Sequence, residues 1–305
     1  MKPAPFDYVV AESVEHALAA KRRYGDEARF LAGGQSLVPA MNFRLAQPAV
    51  LIDLNRIPGL GDVRRENDVL AIGALARHRT LEHDPNVARH APALAEAATY
   101  VAHPQIRNRG TLGGNLAQAD PASELPAAAV ALDASLHVRS AGSERQIAAR
   151  DFFTGVFATA LEPDEMLVRI DVPALPPRTG TAFMEIARRR GDYAIVGIAA
   201  VVTVDDARRC VRVRAVLCGA GNSPVCLAAP ERVLAGHRGS EAGFAEAAAL
   251  AGREIDPPVN VHATADYRRH LAGVLVRRAL ALAVSRAEGG DPGGWRGRPA
   301  GRITT

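Results

Sequence analysis

Two glycine pairs constrain what this chain can fold around more tightly than any of its other features. The first lies in Phe30-Leu31-Ala32-Gly33-Gly34-Gln35-Ser36-Leu37, where a strand-like run gives way to paired glycines and then to polar residues. The second lies in Arg107-Asn108-Arg109-Gly110-Thr111-Leu112-Gly113-Gly114-Asn115-Leu116 and continues through Ala119-Asp120-Pro121-Ala122-Ser123-Glu124-Leu125. Paired glycines let a backbone approach a ligand closely and turn successive N–H groups toward one centre, a geometry that binds a diphosphate. The second segment adds a hydroxyl, an amide and two carboxylates, which offer donors to phosphate and acceptors to sugar hydroxyls. Plainer readings stand beside these: an ordinary turn for the first, a surface loop running into a capped helix for the second. Neither segment is a G-x-G-x-x-G fingerprint or a G-x-x-x-x-G-K-[ST] loop, which disfavours a Rossmann NAD domain and a P-loop nucleotidase.

Around these segments the element types alternate. The run 6–10 reads as a strand, 13–24 as an amphipathic helix with Ser13 as N-cap and Gly25 as its stop, and 29–32 and 50–54 as further strands. This βαβ-like order predicts a small α/β lobe over residues 1–57. A second α/β lobe is expected over 58–177, from strands at 69–76, 136–139 and 166–172 and helices at 87–101 and 123–132. The run Pro173-Ala174-Leu175-Pro176-Pro177 marks a boundary, because proline lacks the backbone donor that would continue an element. Beyond it, 181–187, 194–204 and 211–218 predict a three-stranded antiparallel meander, and 240–252 and 264–287 predict helices, giving an α+β domain over 178–288. Residues 289–305, rich in Gly, Pro and Arg, are expected to form a flexible tail, mobile or docked on a partner.

The 37 basic and 33 acidic side chains leave a charge of +4 spread along the chain, which speaks against nucleic acid as a partner. No run of eighteen apolar residues and no apolar leader is seen, so the expectation is a cytoplasmic protein without a transmembrane segment. Cys210, Cys218 and Cys226 match neither a zinc nor an iron–sulfur spacing, and the histidines form no ligand cluster such as H-E-x-x-H, so no metal site is expected. His103, just before the second glycine segment, could orient it or be a surface group.

Taken together and in this order, AGGQSL at 32–37, HPQIRNRGTLGGNLAQADPASELP at 103–126 and ARRRGDYAIVGIAA at 187–200 resemble the FAD-binding medium subunits of molybdenum hydroxylases, of the carbon monoxide dehydrogenase, xanthine dehydrogenase and aldehyde or nicotine dehydrogenase type. The likeness runs from about Phe6 to Glu288. It implies an α+β fold: two α/β lobes of the PCMH type (vanillyl-alcohol-oxidase-like) gripping an extended FAD, and a C-terminal domain, a three-stranded antiparallel sheet with helices, covering the flavin ring.

Carried over position by position, the resemblance implies that Phe30, Leu31, Ala32, Gly33, Gly34, Gln35, Ser36 and Leu37 hold the diphosphate, largely through backbone donors. Thr111, Gly113, Gly114 and Asn115 would form the facing half of that cradle. Glu124 stands where the family has a carboxylate, often Asp, in contact with the cofactor, and Asp120 and Asp192 join the candidate contacts. Leu167 falls where an apolar residue touches the flavin region. Xanthine-oxidising relatives carry a lysine after the strand phenylalanine, whereas Phe183 here is followed by Met184 and Glu185; the basic contact is missing or has moved to Arg188. Tyr193 either lies near the isoalloxazine or packs on its own sheet.

The resemblance further implies an oxidoreductase subunit with no catalytic residue of its own. Its partners would be a small [2Fe–2S] subunit and a large molybdenum-cofactor subunit, in a dimer of heterotrimers, with electrons passing to NAD, a quinone or another acceptor. The cysteines that such clusters need are absent here, in keeping with a division of labour. The alternatives are a self-contained flavin oxidase and a non-enzymatic module for another diphosphate ligand.

Overall fold

The computed structural model of the protein describes residues 2–290. The expected flexible tail therefore falls, from residue 291 on, outside the described residues.

Strands Asp7–Val10, Ala28–Leu31 and Val50–Asp53 form a parallel sheet with the last of them in the middle. Parallel neighbours cannot be joined by a tight turn. Helix Val14–Tyr24 supplies the crossover between the first two. The helix starts where Ser13 Oγ accepts the His16 N–H at 3.1 Å. Near its end the buried Lys21 donates to the carbonyls of Gly25, at 2.7 Å, and Ala28, at 3.0 Å, pinning the turn that leads into the next strand.

The second body of the fold is a five-stranded antiparallel sheet in the order Val63–Glu66, Val69–Gly73, Met166–Pro173, Ser135–Arg139, Glu144–Ala148. Its two outer strands, VRRE and ERQIA, are not among the sequence expectations. They lie at the sheet's edges with most side chains in water, so they carry charge instead of the apolar alternation that announces a half-buried strand. The helix expected over 87–101 is two helices, Pro85–His90 and Pro92–Tyr100. Pro92 has no N–H to give and disfavours helical torsions at Ala91, which sits at φ −139° and ψ 54°.

The C-terminal sheet contains Thr179–Ala187, Ala194–Val204, Cys210–Cys218 and a short fourth strand, Val225–Cys226, one more than the three expected. Every residue of Ala194–Val204 is buried, because the sheet is covered on both faces. Ile198, Ala200 and Val202 pack toward helices Glu241–Ala251 and Ala265–Ala287, while Ala199 and Val201 join the core that includes helices Pro92–Tyr100 and Glu124–Ala131. The period of two thus divides one strand between two cores. A polar latch crosses this second interface: Glu96 accepts the Phe183 N–H at 2.8 Å and pairs with Arg286 at 2.7 Å. Burial still holds the Glu96 carboxyl above the usual carboxylate range, so the latch chiefly specifies how the surfaces meet.

Candidate cofactor site

Strand Ala28–Leu31 delivers the first glycine pair to a cleft of about 590 Å³. Gly34 is left-handed, at φ +73°, the region in which a side chain is strained. Gly33 is glycine for another reason: a Cβ there would run into the Arg109 carbonyl and come within 2.8 Å of the Gly110 Cα. The chain then turns into helix Leu37–Asn42, with the Val38 N–H bonded to the Gly34 carbonyl at 3.0 Å. From Gly33 to Leu37, five consecutive backbone N–H groups find no acceptor among the described residues. Backbone donors left unmatched at a cleft wall call for an external acceptor.

The second glycine pair behaves differently. The segment expected as a loop is two short helices, Pro104–Arg107 and Leu112–Gln118. Thr111 is the N-cap of the latter, its Oγ1 accepting the Gly114 N–H at 3.1 Å. The N–H groups of Leu112 and Gly113 donate to the carbonyls of Ala76, at 2.9 Å, and Ala74, at 2.8 Å, and that of Asn115 to Thr111, at 3.0 Å. A Cβ on Gly113 would stand 2.7 Å from the Ala74 carbonyl oxygen. The second pair is therefore a packing site whose amides are already committed. What it presents to the cleft is side chains, and Asn115 is held in turn by the Ser123 hydroxyl at 2.8 Å.

Two further features shape the chemistry of the wall. His78 is almost fully buried, and its Nε2 lies 3.0 Å from the Thr111 carbonyl, which can only accept. The ring proton therefore sits on Nε2 and Nδ1 is an acceptor, without a donor among the described residues. Burial pushes the His78 pKa down to about 4 against the help of the Thr111 carbonyl, so the ring is neutral at physiological pH. Glu124 and Glu185 form a buried carboxyl pair within hydrogen-bonding reach; burial first, and for Glu185 then the charge of its partner, raises both pKa values. One proton shared between them relieves the repulsion of two adjacent carboxylates.

Fifteen of the eighteen residues singled out by sequence line this cleft: Phe30, Ala32 to Leu37, Thr111, Gly113, Gly114, Asn115, Glu124, Leu167, Asp192 and Tyr193. Tyr193 is 71% exposed in the turn before strand Ala194–Val204, which removes the reading in which its ring packs on its own sheet. Leu31, Asp120 and Arg188 do not line the cleft. The Leu31 carbonyl accepts the Leu54 N–H at 3.0 Å, and Asp120 caps its own turn through the Ala122 N–H at 2.9 Å. Arg188 is exposed and lies 3.4 Å from His262. Sequence reasoning missed His78 and Glu165. Glu165 is set by two 2.7 Å bonds from Arg145, and neither residue stands in a pattern that marks it before the strands assemble.

Residues 4–175 match the family described as the FAD binding domain in molybdopterin dehydrogenase, and residues 181–283 match the CO dehydrogenase flavoprotein C-terminal domain. The chain belongs to the FAD-binding subunits of the molybdenum hydroxylases. Like other members it is an FAD-containing component of an oxidoreductase. It is 45% identical to the 6-hydroxypseudooxynicotine dehydrogenase complex subunit alpha of Paenarthrobacter nicotinovorans, over 94% of this chain and 97% of that one. It is 36% identical to the carbon monoxide dehydrogenase medium chain of Afipia carboxidovorans, over 94% of this chain and 100% of its relative. A solved carbon monoxide dehydrogenase from Hydrogenophaga pseudoflava superimposes with a TM-score of 0.91 at 37% identity, covering 94% of this flavin subunit and 99% of that chain. Among the described residues no helix is long and apolar enough to cross a membrane.

Proposed function

We propose that the chain is the flavin-bearing electron-transfer subunit of a heterotrimeric molybdenum hydroxylase and that FAD lies in the cleft between the two glycine segments. The observation that carries this reading is the row of five unmatched N–H groups from Gly33 to Leu37. A diphosphate supplies the anionic acceptors that such a row lacks. The rest of the lining fits the same group: the Glu124 carboxyl accepts from ribityl or ribose hydroxyls, and Tyr193 offers an exposed ring to the flavin. The first segment holds the diphosphate, while Thr111, Gly113, Gly114 and Asn115 form the opposite wall.

Bound FAD supplies the redox chemistry, linking the [2Fe–2S] clusters of a small partner subunit to NAD, a quinone or another acceptor. The residues of this chain bind and orient the cofactor and fix protons: one on His78 Nε2, one between Glu124 and Glu185. Substrate would be hydroxylated on a large molybdenum-cofactor subunit, in a dimer of heterotrimers in the cytoplasm. The lobes would divide near residue 57, between strands Val50–Asp53 and Val63–Glu66, and the C-terminal domain would begin at 178, just before strand Thr179–Ala187.

The test is reconstitution. The full chain alone is expected to bind FAD and, after chemical reduction, to pass electrons to an artificial acceptor without oxidising purines, aldehydes, carbon monoxide or N-heterocycles. Substrate oxidation should appear when the two partner subunits are co-expressed. Robust flavin-dependent substrate turnover by the chain alone would establish a self-contained oxidase instead.

A further inference from the structure

The two glycine segments belong to different lobes, and glycine-on-backbone contact at Gly33 sets how closely they approach without preventing them from separating. Leu75, Met166 and Val168 share an apolar core with Ile52 and Leu54 and hold the lobes together, and a chain of side-chain hydrogen bonds spans them beside the first glycine pair. Tyr8 donates its hydroxyl to Asp53, and Asp53 accepts both the backbone N–H of Asn55, at 2.9 Å, and one proton of its side-chain amide. The second amide proton of Asn55 goes to the Ala32 carbonyl at 2.9 Å, immediately before the first glycine pair. Asn55 Oδ1 accepts from Arg77 Nη2 at 2.6 Å, and Arg77 Nη1 donates to the Arg109 carbonyl, the oxygen that faces Gly33.

The orientation of the Asn55 amide follows from its partners. A guanidinium can only donate and a carbonyl can only accept, so Oδ1 must face Arg77 and Nδ2 must face Ala32. All the polar atoms of the Asn55 side chain are then engaged. Neither Asn55 nor Arg77 lines the cleft. Both act on the peptide units that border it.

We propose that Asn55 and Arg77 are positioning residues: together they bridge the Ala32 and Arg109 carbonyls across the two lobes and hold the Gly33–Leu37 N–H row in place for a diphosphate. The bridge rests on the reading of that row as the FAD diphosphate site. It predicts a specific loss. Without it the row can turn away from its ligand, while the apolar core shared by Ile52, Leu54, Leu75, Met166 and Val168 keeps the sheets folded. Hydrogen bonds to charged donors are worth enough for the loss of one to cost about tenfold in affinity.

The experiment measures FAD dissociation constants for the full chain as wild type, Asn55→Ala, Arg77→Met, Arg77→Lys and the double variant Asn55→Ala/Arg77→Met, together with the melting temperature of each apo form and the 31P resonances of bound FAD. Asn55→Ala and Arg77→Met should each weaken FAD about tenfold and move the 31P resonances, with the flavin absorption band and apo melting temperature little changed. Arg77→Lys should not rescue, since one ammonium cannot reach both Asn55 and the Arg109 carbonyl. The double variant should be far less than additive, because the bridge is broken once. Affinities within twofold of wild type, unmoved 31P resonances, or full additivity would overturn the proposal. Gly33→Ala separates this outcome from failure of the site itself: if that variant retains FAD with wild-type affinity, the diphosphate reading falls; if it loses FAD while Asn55→Ala and Arg77→Met do not, only the bridge falls.

Discussion

The two glycine pairs look alike in sequence and do opposite things in the fold. At 33–34 the chain leaves an edge strand, so no neighbouring strand takes up its donors, and five N–H groups are left without an acceptor at a cleft wall. At 113–114 the chain lies against the continuation of strand Val69–Gly73, and the carbonyls of Ala74 and Ala76 take the donors at 113 and 112. Glycine serves the first as a way to expose the backbone and the second as a way to bury it. A Gly-Gly pair therefore signals close approach without saying whether a ligand or another strand does the approaching.

The largest expected effect breaks the comparison at its strongest point. Gly33→Val puts a branched side chain into the Arg109 carbonyl, an overlap worth about 1–3 kcal/mol before any N–H is misaligned, so FAD affinity should fall more than ~10-fold. Flavin absorbance after gel filtration reads this directly; a full complement of FAD on the variant would mean that the first pair is not the binding half.

Thr111→Val sharpens the contrast from the other side. It removes the cap of helix Leu112–Gln118 and should lower apo stability by about 1 kcal/mol in urea unfolding. FAD affinity should change by less than about threefold, since the amides of that segment are internally bonded. A loss of affinity as large as that of Gly33→Val would show that the two pairs share the ligand equally.

The smallest effect concerns charge. Burial raises the pKa values of Glu124 and Glu185, so the folded chain binds more protons than the unfolded one as pH climbs above the ordinary carboxylate range. By linkage, this pair contributes a stability that is present in acid and is lost as pH rises through the raised values. The apo protein should melt progressively lower as the pH is raised through neutrality, and Glu185→Gln should flatten that slope. An identical slope in the variant would place the proton dependence elsewhere.

Much of the fold was legible because its signals are local. Ser13 marked a helix start, and the three expected strands of the C-terminal sheet fell within two residues of their predicted ends. The misses have local reasons as well. The edge strands Val63–Glu66 and Glu144–Ala148 carry no apolar face to read, and Pro92 divides a helix that composition alone suggested was continuous. The site was legible where backbone chemistry is written in glycine and illegible where it depends on distant partners. Asn55, Arg77 and His78 stand in no motif, and each acquires its role from a backbone carbonyl at least 23 positions away.

The sequence by itself determined that the chain presents two close-approach backbone segments and that three strand-bearing regions follow one another, since propensity, proline placement and glycine torsions act over a few residues. Only the tertiary structure decided which glycine pair keeps its donors, which carboxyls must share a proton and which side chains tie one lobe to the other. Those outcomes depend on what lies across a sheet edge or an interface from each group, and hydrogen-bond partners and burial are properties of the assembled chain.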